Sequence, residues 1–286
     1  MQNRGGLVSI ATPGCGSSIA SLSRRTAFGP SSPRPRARDV PERGPAPHDF
    51  ACSLIDLQAL DWPALQVSEA GMDIAATCRI IELDRFKPPQ AWPSGPLLKR
   101  CCRSLLASFK IMNVATVGGN ICMSLPAGAL IALTVALEAV YTLLPRNGEP
   151  RDVASAAFVT GNHANILSPG ELLRSIHIPA AALSKRFACR RSSLTHLGRS
   201  AALLIGTRSL TGNDFLLTIT AATPQPVQLS FDAMPNAAAL RAAISARVPE
   251  SGYFDDVNGT PAYKRHLTYH FAEEVRAELV QPGAGR

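Results

Sequence analysis

The sequence predicts an α+β protein, in which an α/β unit is followed by an antiparallel sheet packed with helices. Three observations carry this. Strand-like runs and apolar-periodic helices are interspersed from Phe50 to Pro179. Beyond Pro179, strand-like runs come in succession and two helices follow them, the order of a sheet covered by helices. Before Phe50 neither period is sustained.

Residues 1–47 are dense in Ser, Pro, Gly and Arg, as in "SSPRPRARDVPERGPAP". Such a stretch cannot bury enough apolar surface to offset its ordering entropy, and disorder is expected. It also holds seven arginines, from Arg4 to Arg43, against Asp39 and Glu42. Much of the formal charge of +8 therefore sits in this basic tail. Elsewhere acids and bases mingle without a basic stripe interleaved with aromatics, which argues against nucleic acid as a partner. The tail lacks the continuous apolar region of a secretory signal. No stretch reaches the roughly 18 apolar residues of a membrane span; the best, Pro126 to Leu144, is broken by Glu138. With 46% hydrophobic and 17% charged residues, the remainder can bury a sizeable core. Seven scattered cysteines, none in a CxxC pair, suit reduced thiols in a cytoplasm rather than a disulfide framework or a cluster site.

From Phe50 the elements follow in order. "SLIDLQAL" gives a short strand, Glu69–Gly71 a turn and Met72–Ala76 a strand. Thr77 is placed to cap a helix carrying Ile80, Ile81 and Leu83. A second helix over Pro96 to Phe109 presents Leu97, Leu98, Cys101, Cys102 and Leu105 on one side. A Gly-centred loop comes next, then a helix that Pro126 can open. "AVYTLLP" and "LLRSIHIP" read as strands ended by Pro145 and Pro179. "RFACRRSS", "AALLIGTR" and "DFLLTITAAT" read as strands, with a turn at Gly212–Asn213. Helices are predicted over Asn236 to Val248 and Tyr269 to Val280. A domain boundary near 180–185 separates residues 48–182 from residues 183–286.

The run Thr116-Val117-Gly118-Gly119-Asn120 is the one that points to chemistry. A glycine pair allows close backbone approach to a ligand, and successive N–H groups can converge on a pyrophosphate. Thr116 can add a hydroxyl, and Asn120 can hold the loop through side-chain to backbone bonds. Alone, the run equally describes an ordinary two-glycine turn. His266 and His270 are four apart but lack a third ligand, so a surface pair is expected rather than a metal site. Asp255–Asp256 reads as a solvated turn before a helix. No nucleophile or acid–base constellation is visible, as expected where a cofactor carries the chemistry.

In context the run resembles the FAD-binding (PCMH-type) domain of molybdenum hydroxylase flavin subunits, the group that includes xanthine dehydrogenase and carbon monoxide dehydrogenase. The family pattern N-x-A-T-[IV]-G-G-N-[IL] is matched from Asn113 to Ile121, with Pro126-Ala127 following. "FVTGNHANILSPGELLRSIHIP" is similar to the family's "F..G.....L.pgElL..i.iP", with Leu167, Glu171 and Pro179 at matching places. "LIDLQALDWPALQVSEAGMDIAATCRIIEL" is similar to "LiDl..i.eL..i......l.iGA..T..el". "DDVNGTPAYKRHLTYHFAEEVRAEL" is similar to the closing pattern of the family's C-terminal domain. The resemblance runs collinearly over about residues 51–280.

It implies that Thr116, Val117, Gly118, Gly119 and Asn120 contact the diphosphate or ribityl chain of FAD, and that Leu167 packs against the isoalloxazine. It implies Arg190 as a further FAD contact, with Arg191 nearly as well placed and an exposed strand charge an equal reading. The implied role is an oxidoreductase flavin subunit. It would pass electrons from an iron–sulfur subunit, in a complex with a molybdenum-binding subunit, to an external acceptor. At 286 residues the chain is too short to hold all three centres itself. Three departures stand out. The family's first Ala-Gly-Gly-Thr-like loop has no counterpart, as expected if the opening segment were read in a shifted frame or replaced. Ala129 stands where relatives have Asp, and Met112 where Arg is common. They leave open an FAD-free structural subunit of the same fold. A stand-alone flavin oxidase is disfavoured by the C-terminal resemblance.

Overall fold

The computed structural model describes residues 56–105, 107–196 and 198–281. The tail expected to be disordered, 1–47, lies outside them. In chain order the first part comprises β1 (Leu65–Ser68), β2 (Gly71–Ala75), α1 (Ile80–Arg85), α2 (Gly95–Ser104), α3 (Phe109–Met112), α4 (Val117–Cys122) and α5 (Ala129–Ala136). Then come β3 (Val140–Leu144), β4 (Arg151–Ala154), α6 (Ser155–Phe158), β5 (Val159–Gly161), β6 (Ala164–Asn165), β7 (Leu172–Pro179) and α7 (Ala180–Leu183). The last part comprises β8 (Arg186–Ser193), β9 (Ser200–Arg208), β10 (Phe215–Thr220), β11 (Val227–Phe231), α8 (Ala237–Arg247) and α9 (Pro261–Val280).

The architecture is α+β, as the sequence predicts. A five-stranded sheet has the order β1-β2-β7-β3-β4, and a four-stranded sheet the order β11-β10-β9-β8. Every pairing within both is antiparallel. The predicted turn at Glu69–Gly71 joins β1 to β2 and needs its glycine: φ is +140°, and a Cβ there would lie 2.1 Å from the Ile178 carbonyl oxygen. No helix among the described residues is long and apolar enough to cross a membrane.

Helix α5 joins the two sheets. Every one of its residues is buried, so it has no polar face to give to water. It packs against β9 and β10 from the face opposite α9. Strand β9 is consequently covered on both sides: Leu203 and Ile205 enter the first core, while Ala202 and Leu204 enter the second, under α8 and α9. This is why "AALLIGTR" reads as a continuous apolar run rather than an alternating one. Gly206 admits α9 closely, since a Cβ there would lie 2.3 Å from Val275 Cγ1. The Ala221 N–H donates to the Pro126 carbonyl at 2.8 Å, and Gln228 Nε2 to Val135 O at 2.7 Å, tying the second sheet to the ends of α5.

Several boundaries differ from the sequence reading. The first helix begins at Ile80, not Thr77, because residues 76–80 bond instead to residues 115–118. The helix predicted over Pro96 to Phe109 ends at Ser104, and Ser108 caps a separate short helix. Helix α9 starts at Pro261 rather than Tyr269, with Thr260 as its cap. Strands β4, β5 and β6 are too short to show an alternation, whereas β11 (VQLSF) alternates apolar and polar residues and is an addition to the sequence reading.

The described cysteines are free thiols; Cys78, Cys101, Cys102 and Cys189 are buried. Burial pushes the Cys78 and Cys102 thiols up to about 12. A free thiol titrates near about 8.5. These four should therefore resist iodoacetamide at pH 8 until denaturant is added. Peptide mapping that found them alkylated in the native protein would contradict the packing.

Candidate cofactor-binding site

The Thr116–Asn120 run is the N-terminal part of helix α4 rather than a loop. Its Thr116 is the N-cap, whose Oγ1 accepts the Gly119 N–H at 3.0 Å. The glycines occupy different surroundings. Gly118 is buried, and a Cβ there would lie 2.5 Å from Ala76 Cβ and 2.8 Å from the Ala76 backbone. Gly118 thus lets α4 sit directly on the chain leaving β2. Among the described residues, a Cβ on Gly119 would meet only Thr116 Oγ1, at 3.0 Å, and otherwise open space. Neither glycine has positive φ, so the turn strain that a glycine pair suggests is absent.

The backbone donors are already used. Val117 N–H donates to Cys78 O (2.8 Å), Gly118 N–H to Ala76 O (2.9 Å) and Asn120 N–H to Thr116 O (3.1 Å). The expected nest of free N–H groups for a pyrophosphate is therefore closed by the protein itself. Side chains remain. Among the described residues the Thr116 hydroxyl hydrogen has no acceptor, and neither does the Asn120 amide nitrogen. Asn120 Oδ1 accepts the Leu130 N–H at 3.3 Å, which fixes α4 to the start of α5. Ala129, where the resemblance expects an aspartate, is wholly buried in that first turn.

Leu167 is brought to the other end of α4 by a chain of bonds. Asn165 Nδ2 donates to Cys122 O (3.0 Å) and Ser124 Oγ (2.9 Å), and Asn165 Oδ1 accepts the Leu167 N–H at 3.0 Å. The following turn is held by Glu171, which accepts the Ser168 N–H at 2.9 Å and both arms of Arg151 at 2.7 and 2.8 Å. The Arg151 guanidinium holds the Glu171 carboxyl below the usual carboxylate range. Sequence reasoning gave Glu171 only as a pattern position; its turn-closing role needs Arg151, 20 residues away in the chain. Arg190 is placed differently. Its Nε pairs with Glu274 and its Nη1 with Glu278, both at 2.7 Å, and Arg191 bonds Ser200 and Gly198. Both arginines are thus engaged within the second sheet and α9.

Arg79 was not singled out from the sequence. It stands at the threonine of "l.iGA..T..el", and that departure was the available signal. It occupies the N-cap of α1, although a guanidinium has no acceptor with which to cap. His266 and His270 stack on the surface of α9, with centroids 6.1 Å apart. Among the described residues no three or more His, Cys, Asp or Glu gather as a metal site. A cleft of about 510 Å³ beside these histidines lies between α8 and α9, away from the Thr116 turn.

Room over Gly119, two side-chain donors beside it and an apolar Leu167 at the far end of α4 suit a nucleotide cofactor held by side chains. Known proteins share this part of the chain. Residues 49–181 match the family described as the FAD binding domain in molybdopterin dehydrogenase. Over 130 residues the chain is 30% identical to the carbon monoxide dehydrogenase medium chain of Hydrogenophaga pseudoflava, covering 45% of this chain and 44% of that protein. Over 121 residues it is 30% identical to xanthine dehydrogenase of Oryza sativa subsp. japonica, covering 40% of this chain and 9% of that protein. The matched region thus spans less than half of either relative. The structure of carbon monoxide dehydrogenase from Hydrogenophaga pseudoflava lacking the Mo-pyranopterin moiety superposes with a TM-score of 0.63 at 22% identity. It covers 74% of this chain and 75% of that one, and supports the fold.

Proposed function

We propose that the chain is the FAD-binding subunit of a molybdenum hydroxylase complex, carrying electrons between iron–sulfur clusters on a neighbouring chain and an external acceptor. The observation that carries this is the family match of residues 49–181 together with the open face of Gly119 inside it. Bound FAD supplies the redox chemistry. The chain's own part is to bind and orient it. Thr116, Gly119 and Asn120 would face the diphosphate side, with Val117 and Gly118 anchoring α4 beneath. Leu167 would pack against the ring. Arg190 is kept as a contact only where a ligand competes with Glu274 and Glu278. Residues 48–182 would form the cofactor domain and 183–286 the second domain. Electrons would come from a separate iron–sulfur subunit, alongside a molybdenum-binding one, a reading that the scattered, mostly buried described cysteines suit. A cytoplasmic setting suits the free thiols.

The closed amides of α4 favour a second reading, an FAD-free structural subunit of the same complex. One experiment separates the two. The purified chain is titrated with FAD, followed by flavin fluorescence, and affinity-captured with the genes flanking its own. Saturable FAD binding with an iron–sulfur and a molybdenum protein in the eluate is the expected result. Capture of those partners by a chain that takes up no FAD would establish the structural subunit instead.

A further inference from the structure

Arg79 and Thr116 face one another across an isolated antiparallel bridge. The Ile80 N–H donates to Ala115 O at 2.9 Å and the Val117 N–H to Cys78 O at 2.8 Å. The bonds thus flank the pair, making it the non-hydrogen-bonded kind. In such a pair the Cα atoms approach to about 4.5 Å and both side chains leave the same face. The Arg79 side chain therefore emerges beside the Thr116 hydroxyl, next to the open face of Gly119.

The helix gains nothing from an arginine here. A guanidinium cannot accept a helix N–H, and its charge has the wrong sign for a helix start. Only the Arg79 backbone takes part in the cap, its N–H donating to Glu82 Oε2 at 2.7 Å. Two acids, Asp61 and Glu82, line the cleft of about 270 Å³ that Arg79 borders, yet among the described residues neither forms an ion pair with its guanidinium. A locally unfavourable residue with an uncommitted charge points to a task outside the protein.

We propose that Arg79 is the diphosphate-binding residue of this chain, reaching past Thr116 to the phosphates of FAD. This rests on the FAD-binding reading and deepens it. It also answers the closed amides of α4: the charge that free N–H groups would have met is met by a guanidinium, which binds phosphate through a planar fork of donors. The ligand lies on the Thr116 side, since Asp61 and Glu82 repel an anion from the cleft.

The test uses the full chain with Arg79→Thr and Arg79→Lys, titrated with FAD at low and high salt, alongside thermal melts. Threonine is a good N-cap, so Arg79→Thr should melt at or above the wild-type temperature. It should nevertheless bind FAD about tenfold or more weakly, from the lost charge-assisted bonds. Its affinity should also depend less on salt. Arg79→Lys, which keeps a point charge, should fall between. If wild type binds FAD and Arg79→Thr binds it equally well, the assignment to Arg79 is overturned while the FAD-binding reading stands. If wild type takes up no FAD, both are overturned.

Discussion

Gly118→Ala is expected to destabilise the protein by roughly 1–3 kcal/mol, as overpacking does, whereas Gly119→Ala should leave folding intact. The added Cβ at 118 would lie 2.5 Å from Ala76 Cβ and 2.8 Å from backbone atoms, and neither can swing away. Helix α4 would have to lift from the chain leaving β2, breaking the bonds of Val117 and Gly118 to Cys78 and Ala76. At 119 only Thr116 Oγ1 must give by a few tenths of an ångström. Alanine at this third helical position can offset that, being favoured over glycine in a helix by up to about 1 kcal/mol. On the proposed site, Gly119→Ala instead fills the space the cofactor needs and should weaken FAD at least about tenfold, a change of about 1.4 kcal/mol. Denaturant unfolding and FAD fluorescence titration of both variants read the two effects separately. Equal FAD affinity for wild type and Gly119→Ala would show that the open face is not the ligand's face. Wild-type stability for Gly118→Ala would mean that α4 does not need its close seat.

The largest stability loss should come from Asp256→Ala. Lys264 is wholly buried, with Nζ 2.8 Å from Asp256 Oδ1 and 5.2 Å from the Phe254 ring centroid. Removing the carboxylate strands an ammonium group inside the second core, a change that costs about 3–5 kcal/mol for buried pairs. Asp256→Leu combined with Lys264→Met should recover most of that, because no charge is then left without a partner. Burial raises the Asp256 carboxyl, but the bonds from Lys264 and Asn258 outweigh it and the net shift is downward. A depressed carboxyl stabilises the fold above its unfolded value near about 3.9, and that contribution is lost as pH falls through the folded value. Wild type should thus lose stability below about pH 4 more steeply than the double variant. A loss under about 1 kcal/mol for Asp256→Ala would mean that Lys264 escapes to water.

Asp256 also shows the limit of local reading. Its neighbours Asp255, Gly259 and Pro261 describe a solvated turn, and nothing nearby in the sequence says that Lys264 will be buried. That depends on α9 beginning at Pro261, one turn before Lys264, and lying across β9 at Gly206.

The sequence by itself determined the α+β class, the collinear family pattern and the run Thr116–Asn120, because these rest on local period and on residue types in a fixed spacing. It also placed a helix from about Asn236 and set Cys101 and Cys102 in the core, since an apolar stripe is a property of one segment. Tertiary structure alone decided how the site is built. The start of α1 moved to Ile80 because the backbone of residues 76–80 found better partners in residues 115–118 than in its own helix. That same pairing closed the amides of α4, gave Gly118 and Gly119 different surroundings, and set Arg79 beside Thr116. Hydrogen bonds between segments more than thirty residues apart leave no period in the chain, so their consequences become visible only when the two backbones meet.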